Sequence, residues 1–134
     1  MKVVIDVSMI IHLLLFDRTT LNRASELISE FEAPHLYKSE CANALLQYIK
    51  HDKLSSDVSI EYWNMAHDFI SQFHSLDIRL IELVISLSIQ HRISAYDAQY
   101  LAIAKSKQLK LFTRDKKLAK AAESENLLFD MSLI

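Results

Sequence analysis

Four carboxylates stand out by where they fall. Asp6 closes the apolar run Lys2–Ile5, and Glu40 comes early in the helical stretch that follows Pro34, the only proline. Asp97 lies three residues after Ser94, and Asp115 follows the short segment Leu109–Thr113. Gathered in one place, four such groups would repel one another strongly unless a cation neutralised them. Oxygen donors without imidazole or thiolate suit Mg²⁺ or Mn²⁺ better than Zn²⁺. A hard cation of that kind keeps several waters, lowers the pKa of one as a nucleophile, and stabilises charge on a phosphodiester oxygen. This chemistry requires neither an activated serine nor a glycine loop.

Spacing alone leaves a plainer reading open. Ser94 and Asp97 have the spacing of a capping box. Acids are favoured at helix starts by the helix dipole, and the chain holds 17 acids in all. Whether these four are caps or ligands depends on the elements that carry them.

Those elements read as follows. Lys2–Ile5 has the form of a parallel strand covered on both faces. Residues 8–16 are too evenly apolar for a surface strand and read as a buried helix. Thr20 is a candidate cap for a second helix, with Ala24, Leu27, Ile28 and Phe31 at helical spacing. Pro34 leaves room only for a brief extended segment, residues 33–37. Tyr37 or Ser39 then opens a long helix, and Ser56 or Asp57 another. Residues 75–80 read as a third strand, 81–91 and 94–106 as helices, 109–113 as a fourth strand, 116–124 as a helix and 127–130 as a last short strand. Strands separated by helices imply a parallel sheet covered on both faces. Sites in such sheets form beyond the carboxyl ends of the strands. Asp6, Glu40 and Asp115 therefore converge on one edge, and Asp97 joins them if its helix begins there.

Composition narrows the alternatives. With no glycine, the chain can form neither a Walker A loop nor a G-x-G-x-x-G turn, both of which need bare backbone against phosphate. Cys41 is the only cysteine, so neither a disulfide nor a cysteine-rich zinc site is expected. The six histidines show no metal-ligand spacing. No secretory leader or membrane-spanning stretch is expected, and 134 residues suit one cytoplasmic domain. The net charge of −2 does not point to nucleic acid, yet seven of the fifteen basic residues fall within residues 105–120, opposed only by Asp115. That run is either a solvated face or a phosphate-tracking patch.

Four blocks carry a resemblance: VVIDVSMII, KSECANALLQYI, SAYDAQYLAIA and LFTRDKKLAKAA. Their order and content resemble PIN-domain proteins, especially VapC-type toxin ribonucleases, over nearly the whole chain. The resemblance implies a three-layer α/β/α sandwich with a central parallel sheet, residues 1–134 forming one PIN-like domain. It also implies Mg²⁺- or Mn²⁺-dependent cleavage of RNA, a cognate antitoxin and a homodimer. Carried over residue by residue, Asp6, Glu40, Asp97 and Asp115 match the family's acidic positions, as ligands and catalytic residues. Ser8 and Thr113 match its small hydroxyl residues and Asn43 its asparagine, all three in supporting roles. Arg114, Lys116 and Lys117 are the expected RNA contacts. The departure lies in turns: where family members usually carry glycine, this chain has Arg92 and Lys107–Gln108. Left-handed geometry is costly for those residues, so loops of different shape are expected there.

Two other readings compete. A receiver-like signalling domain also places acids at strand ends, around one phosphorylated aspartate with a nearby lysine. A non-catalytic PIN fold would bind RNA or protein without turnover. Trp63, Tyr62 and Phe69 read as packing residues from their helical spacing. Tyr96 and Tyr100 flank Asp97: Tyr96 reads either as a substrate contact or as a packing residue, and packing is the favoured reading.

Overall fold

In the computed structural model, which describes residues 1–134, the first strand is the centre of the sheet. Val3, Val4 and Ile5 have no exposed surface, as an interior parallel strand requires. The strands are β1 (Lys2–Ile5), β2 (Glu30–Pro34), β3 (Ile70–His74) and β4 (Lys110–Phe112). They lie in the order β3-β2-β1-β4, all parallel. Leu128 adds a single parallel bridge to Leu111, so the expected last strand is reduced to one pairing.

Seven helices link the strands: α1 (Val7–Phe16), α2 (Arg18–Leu27), α3 (Leu36–Lys50), α4 (Ser56–Asp68), α5 (Ile78–His91), α6 (Ala95–Lys107) and α7 (Lys116–Ser124). Right-handed crossovers put α1–α4 on one face and α5–α7 on the other. The contacts agree: α1 packs with α2, α3 and α4, while α6 packs with α5 and α7. The α/β/α sandwich is therefore as expected. No helix is long and apolar enough to cross a membrane.

α6 is the organising helix of its layer. Ala98, Ala102 and Ala104 are fully buried, and their small side chains let the helix settle onto β1, β2 and β4, with Leu101 filling the core beside them. A crossover helix runs antiparallel to the strand it feeds. The start of α6, with Asp97, is thus held at the carboxyl edge of the sheet.

Several boundaries differ from expectation. The third strand is Ile70–His74, not residues 75–80. It is an edge strand with Ser71 and Gln72 exposed, so it lacks the apolar run of a buried one. Asp77 instead caps α5, accepting the Leu80 N–H at 2.8 Å, and the helix takes over the expected strand from Ile78. β2 begins at Glu30 and carries Glu32, a buried acid paired with His74 at 2.5 Å. The second helix is capped by Asp17, to which Thr20 donates through both its N–H and its hydroxyl. α3 starts at Leu36, so Glu40 sits in its second turn and not its first.

With no glycine available, left-handed backbone falls on Asp52, Arg92, Gln108 and Asn126. Arg92 (φ 54°) ends α5 and Gln108 (φ 56°) ends α6, at the two places where glycine was missed. The loops were expected to change shape, but the chain keeps the left-handed turn and bears its steric cost. αL geometry at these C-caps lets backbone N–H groups return to the helices' last carbonyls.

Candidate active site

The sheet order fixes where a site can form. After β1 the chain moves outward through β2 to β3, then returns to the far side of β1 as β4. The crevice between the carboxyl ends of β1 and β4 is the topological switch point. Asp6 leaves β1 there, and Thr113 and Asp115 leave β4.

Asp6 is held by three donors. Its Oδ1 accepts from the Ser8 hydroxyl at 2.8 Å and the Met9 N–H at 3.1 Å, which makes Asp6 the N-cap of α1. Its Oδ2 accepts from the Thr113 hydroxyl at 2.5 Å. The Thr113 oxygen in turn accepts the Asp115 N–H at 3.0 Å, and the Ser8 oxygen accepts the Arg114 N–H at 3.1 Å. The two hydroxyl residues therefore stitch β1 to β4 and set the direction of a carboxylate. Asp115 caps α7, its Oδ1 accepting the Leu118 N–H at 2.8 Å.

Glu40 enters from α3. The hydroxyl of Tyr100, a residue only 1% exposed, donates to Glu40 Oε1 at 2.6 Å. Tyr100 is a residue for which sequence reasoning favoured packing and named no site role. Its signal was available: it stands three residues after Asp97, on the same face of a helix. Tyr96, expected to pack, is 62% exposed and does not line the site. Asp97 completes the group. Ser94 Oγ accepts the Asp97 N–H at 3.0 Å, whereas no bond runs back from the Ser94 N–H to the Asp97 carboxylate. Ser94 also lowers the Asp97 carboxyl through a side-chain hydrogen bond, and Asp97 lines the cavity.

All four acids, with Ser8, Asn43 and Tyr100, line one cavity of about 250 Å³. No lysine lines it, so the arrangement of a receiver-like domain is not present. Burial is the main cause that raises the Asp6 carboxyl to about 6; its hydrogen bonds oppose this, and the charge of Asp115 adds to it. Glu40 is raised by burial and then by Asp97, with Tyr100 opposing. Asp97 is raised by burial and then by Asp115. Burial and the charge of Glu40 push the Tyr100 phenol far above its usual range, so it stays a proton donor. The carboxylates feel one another, and their negative charge is not compensated from within the chain.

Such a donor set fits a hard divalent cation in kind: four carboxylates, one amide and hydroxyls, with no nitrogen or sulfur ligand. Glu40 and Asp115 each keep an oxygen free of protein hydrogen bonds. The four are not drawn together as a finished clamp, however. No group of three or more His, Cys, Asp or Glu is arranged to hold a metal ion.

The basic run does not act as one patch. Lys105 pairs with Glu125 at 3.0 Å, and Lys110 donates to the Asn126 carbonyl at 2.6 Å, both away from the acids. Arg114, Lys116 and Lys117 are exposed beside Asp115 without ion pairs. Trp63 packs as expected, its indole donating to the Lys38 carbonyl at 2.9 Å.

A model of the PIN domain family matches residues 3–124. The chain belongs to the PIN domain family. Two curated relatives, both Ribonuclease VapC1 of Mycobacterium tuberculosis (strains CDC 1551 / Oshkosh and ATCC 25618 / H37Rv), are 32% identical over 89 residues. That match covers 66% of this PIN chain and 65% of each relative, just under two thirds of their length. Among solved structures, PAE2754 from Pyrobaculum aerophilum superposes with a TM-score of 0.71 at 21% identity, covering 98% of this chain and 93% of that one. A chain of a toxin–antitoxin complex from Klebsiella pneumoniae gives 0.66 at 16% identity, covering 96% and 97%. The PIN fold expected from the four blocks is the fold observed.

Proposed function

We propose that this PIN-domain protein is a Mg²⁺- or Mn²⁺-dependent endoribonuclease, the toxin of a type II toxin–antitoxin pair in the cytoplasm. One observation carries the reading: four acids from four separate segments line one cavity at the switch point of the sheet. The ribonuclease naming of the curated relatives and the toxin–antitoxin neighbour support it.

The chain's own residues divide the work. Asp6, Glu40, Asp97 and Asp115 would hold the cation. A bound cation would supply a water nucleophile near neutral pH and neutralise charge on the scissile phosphate. Thr113 and Ser8 fix the direction of Asp6, and Tyr100 does the same for Glu40. Asn43 offers an amide at the cavity wall, suited to a phosphate or water contact. The amino ends of α1, α6 and α7 meet at this edge, and their partial positive charge favours phosphate oxygens. Arg114, Lys116 and Lys117 grip the flanking RNA backbone as point charges.

Two partners belong to the reading. The antitoxin has an apolar groove of about 310 Å³ between α3 and α4, lined by Leu45, Leu46, Ile49, Ile60 and Trp63. A second copy has the outer face of α5, where Ile78, Ile81, Ile85 and Ile89 are exposed in a row. The row reads nearly the same in both directions, so a two-fold axis sets Ile78 against Ile89 and Ile81 against Ile85.

The test is cleavage of total RNA and of labelled oligoribonucleotides by the purified protein, with Mg²⁺, with Mn²⁺ and in excess chelator. Cleavage that needs a divalent ion and is lost in Asp6→Asn and Asp115→Asn is the expected result. Cleavage that persists in chelator sinks the mechanism. Absence of cleavage with every ion favours the non-catalytic binding module.

A further inference from the structure

We infer that the groove between the end of α5 and the face of α7 is a second phosphate-binding subsite, which holds the RNA backbone as it leaves the catalytic cavity. The inference rests on the ribonuclease reading and extends it from Lys117, already placed on the RNA backbone, to Arg92 and Lys120.

The groove has a volume of about 460 Å³ and is lined by Gln90, His91, Arg92, Lys117, Lys120 and Ser124. No acid lines it. Arg92, Lys117 and Lys120 are all exposed, and none is paired with a carboxylate. Glu125, which follows α7, is engaged by His91 and Lys105 at 3.0 Å each. Three free cations around one concavity, in a chain of net charge −2, call for a polyanion.

The groove is built from chain segments adjacent in sequence to those that carry Asp97 and Asp115. Arg92 stands two residues before Ser94, the cap of the helix that carries Asp97. Lys117 stands two residues after Asp115, and Lys120 is one turn further on the same face of α7. From Asp115 to Ser124 the helix advances roughly 13 Å at ~1.5 Å per residue. That is the length of three to four stacked nucleotides at ~3.4 Å each.

The lining also says what is read. It contains no phenylalanine, tyrosine or tryptophan, and its one ring, His91, is tied to Glu125. Without a stacking platform the groove grips phosphate and ignores base identity. Arg92 adds an independent point. It occupies a left-handed position (φ 54°) that glycine would fill without strain. The residue that strains the turn is the one that lends its charge to the groove.

The experiment measures binding of short labelled single-stranded RNAs, of two unrelated sequences, to the full chain in excess chelator, across a salt series. The variants are Arg92→Gly, Lys120→Gln and the pair together, with Lys53→Gln in the α3–α4 turn as a charge-matched control. The double variant should weaken binding of both RNAs by roughly tenfold and flatten the log–log salt slope by about 1.4, at ~0.7 per lost single-strand contact. Arg92→Gly should at the same time raise the melting temperature, which separates lost charge from lost folding. Parental affinity and slope in the double variant would overturn the subsite while leaving the ribonuclease reading intact, provided the parent binds and cuts RNA. If the parent neither binds nor cuts RNA, subsite and reading fall together. If the variants lose affinity for a poly-glutamate peptide and not for RNA, the groove is an acidic-peptide site and the inference is wrong.

Discussion

Thr113 and Asp6 are 107 residues apart, yet the threonine hydroxyl donates to Asp6 Oδ2 at 2.5 Å across the crevice between β4 and β1. The same oxygen accepts the Asp115 N–H, so one side chain orients two of the four acids. Thr113→Val keeps the shape and removes both bonds. It should cost about 1–3 kcal/mol of stability, the usual range for stranding a buried polar partner, and should depress RNA cleavage at least tenfold. Thr113→Ser should restore both. A valine variant that melts and cuts like the parent would show that Asp6 needs no such support.

Tyr100 and Glu40 form the second such pair. Tyr100→Phe leaves the fold packed but strips Glu40 Oε1 of its donor. Supports of this kind are worth 10–100-fold in metal affinity or activity. The expected result is a loss of that order in cleavage, partly recovered at high Mn²⁺, with little change in melting temperature. Full activity at limiting Mn²⁺ would return Tyr100 to the packing role first expected of it.

Asp97 and Ser94 separate chemistry from folding. Asp97→Asn keeps the N–H that Ser94 caps and removes a charge that sits among other acids. Cleavage should vanish, while the metal-free melting temperature stays level or rises. Ser94→Ala breaks the cap and should lower stability by about 1 kcal/mol with turnover retained. Early melting with parental cleavage in Asp97→Asn would make Asp97 a cap and nothing more.

The raised carboxyls make stability depend on pH with a definite sign. Asp6 titrates at about 6 in the folded chain against 3.8 for an unperturbed group. Between those values the folded state holds the extra proton, so stability rises as pH falls through the window. Glu40 and Asp97 act in the same direction. Asp17, Asp130 and Glu125 are lowered, and what they contribute is lost only below the ordinary carboxylate range. In chelator, stability should therefore peak in mild acid and decline toward neutrality, by an amount on the order of 3 kcal/mol for Asp6 alone. Mn²⁺ should cancel the decline, because it binds only the folded, deprotonated site. Unfolding midpoints across pH, with and without Mn²⁺, check this; a chelated protein most stable at neutral pH would contradict it.

Legibility in the sequence followed burial. β1 and α1 were readable because Val3–Ile5 and Met9–Leu14 lie in the core, where apolar residues leave an unbroken pattern. β3 was not, because an edge strand with Ser71 and Gln72 in water carries no such run. Residues 75–80 alternate polar and apolar and mimic a strand. The exposed isoleucines from Ile78 onward, at helical spacing, show why they are not one. Asp6, Asp97 and Asp115 could be found because each stands at a boundary that leaves a local mark, a strand end, a first turn or a cap, whereas Glu40 lies one turn deeper in α3 than expected. Their supports were harder. Ser8 and Thr113 entered through family resemblance; Tyr100, though three residues after Asp97, was missed because its partner Glu40 lies 60 residues away in the chain.

The place of β4 in the sheet has a consequence for the order in which the protein is made. β1 acquires its first neighbour, β2, within 30 or so residues of the amino terminus, but its second only when residues 110–112 are added. Until then Asp6 has no Thr113 to direct it and no Asp115 opposite it. Domains assemble as the ribosome delivers them, and here the ribosome delivers the decisive wall of the cavity late. A growing chain can thus form β1–β3 and their helices while it still lacks one wall of the acidic cavity. On the ribonuclease reading, synthesis is nearly finished before the cavity is complete.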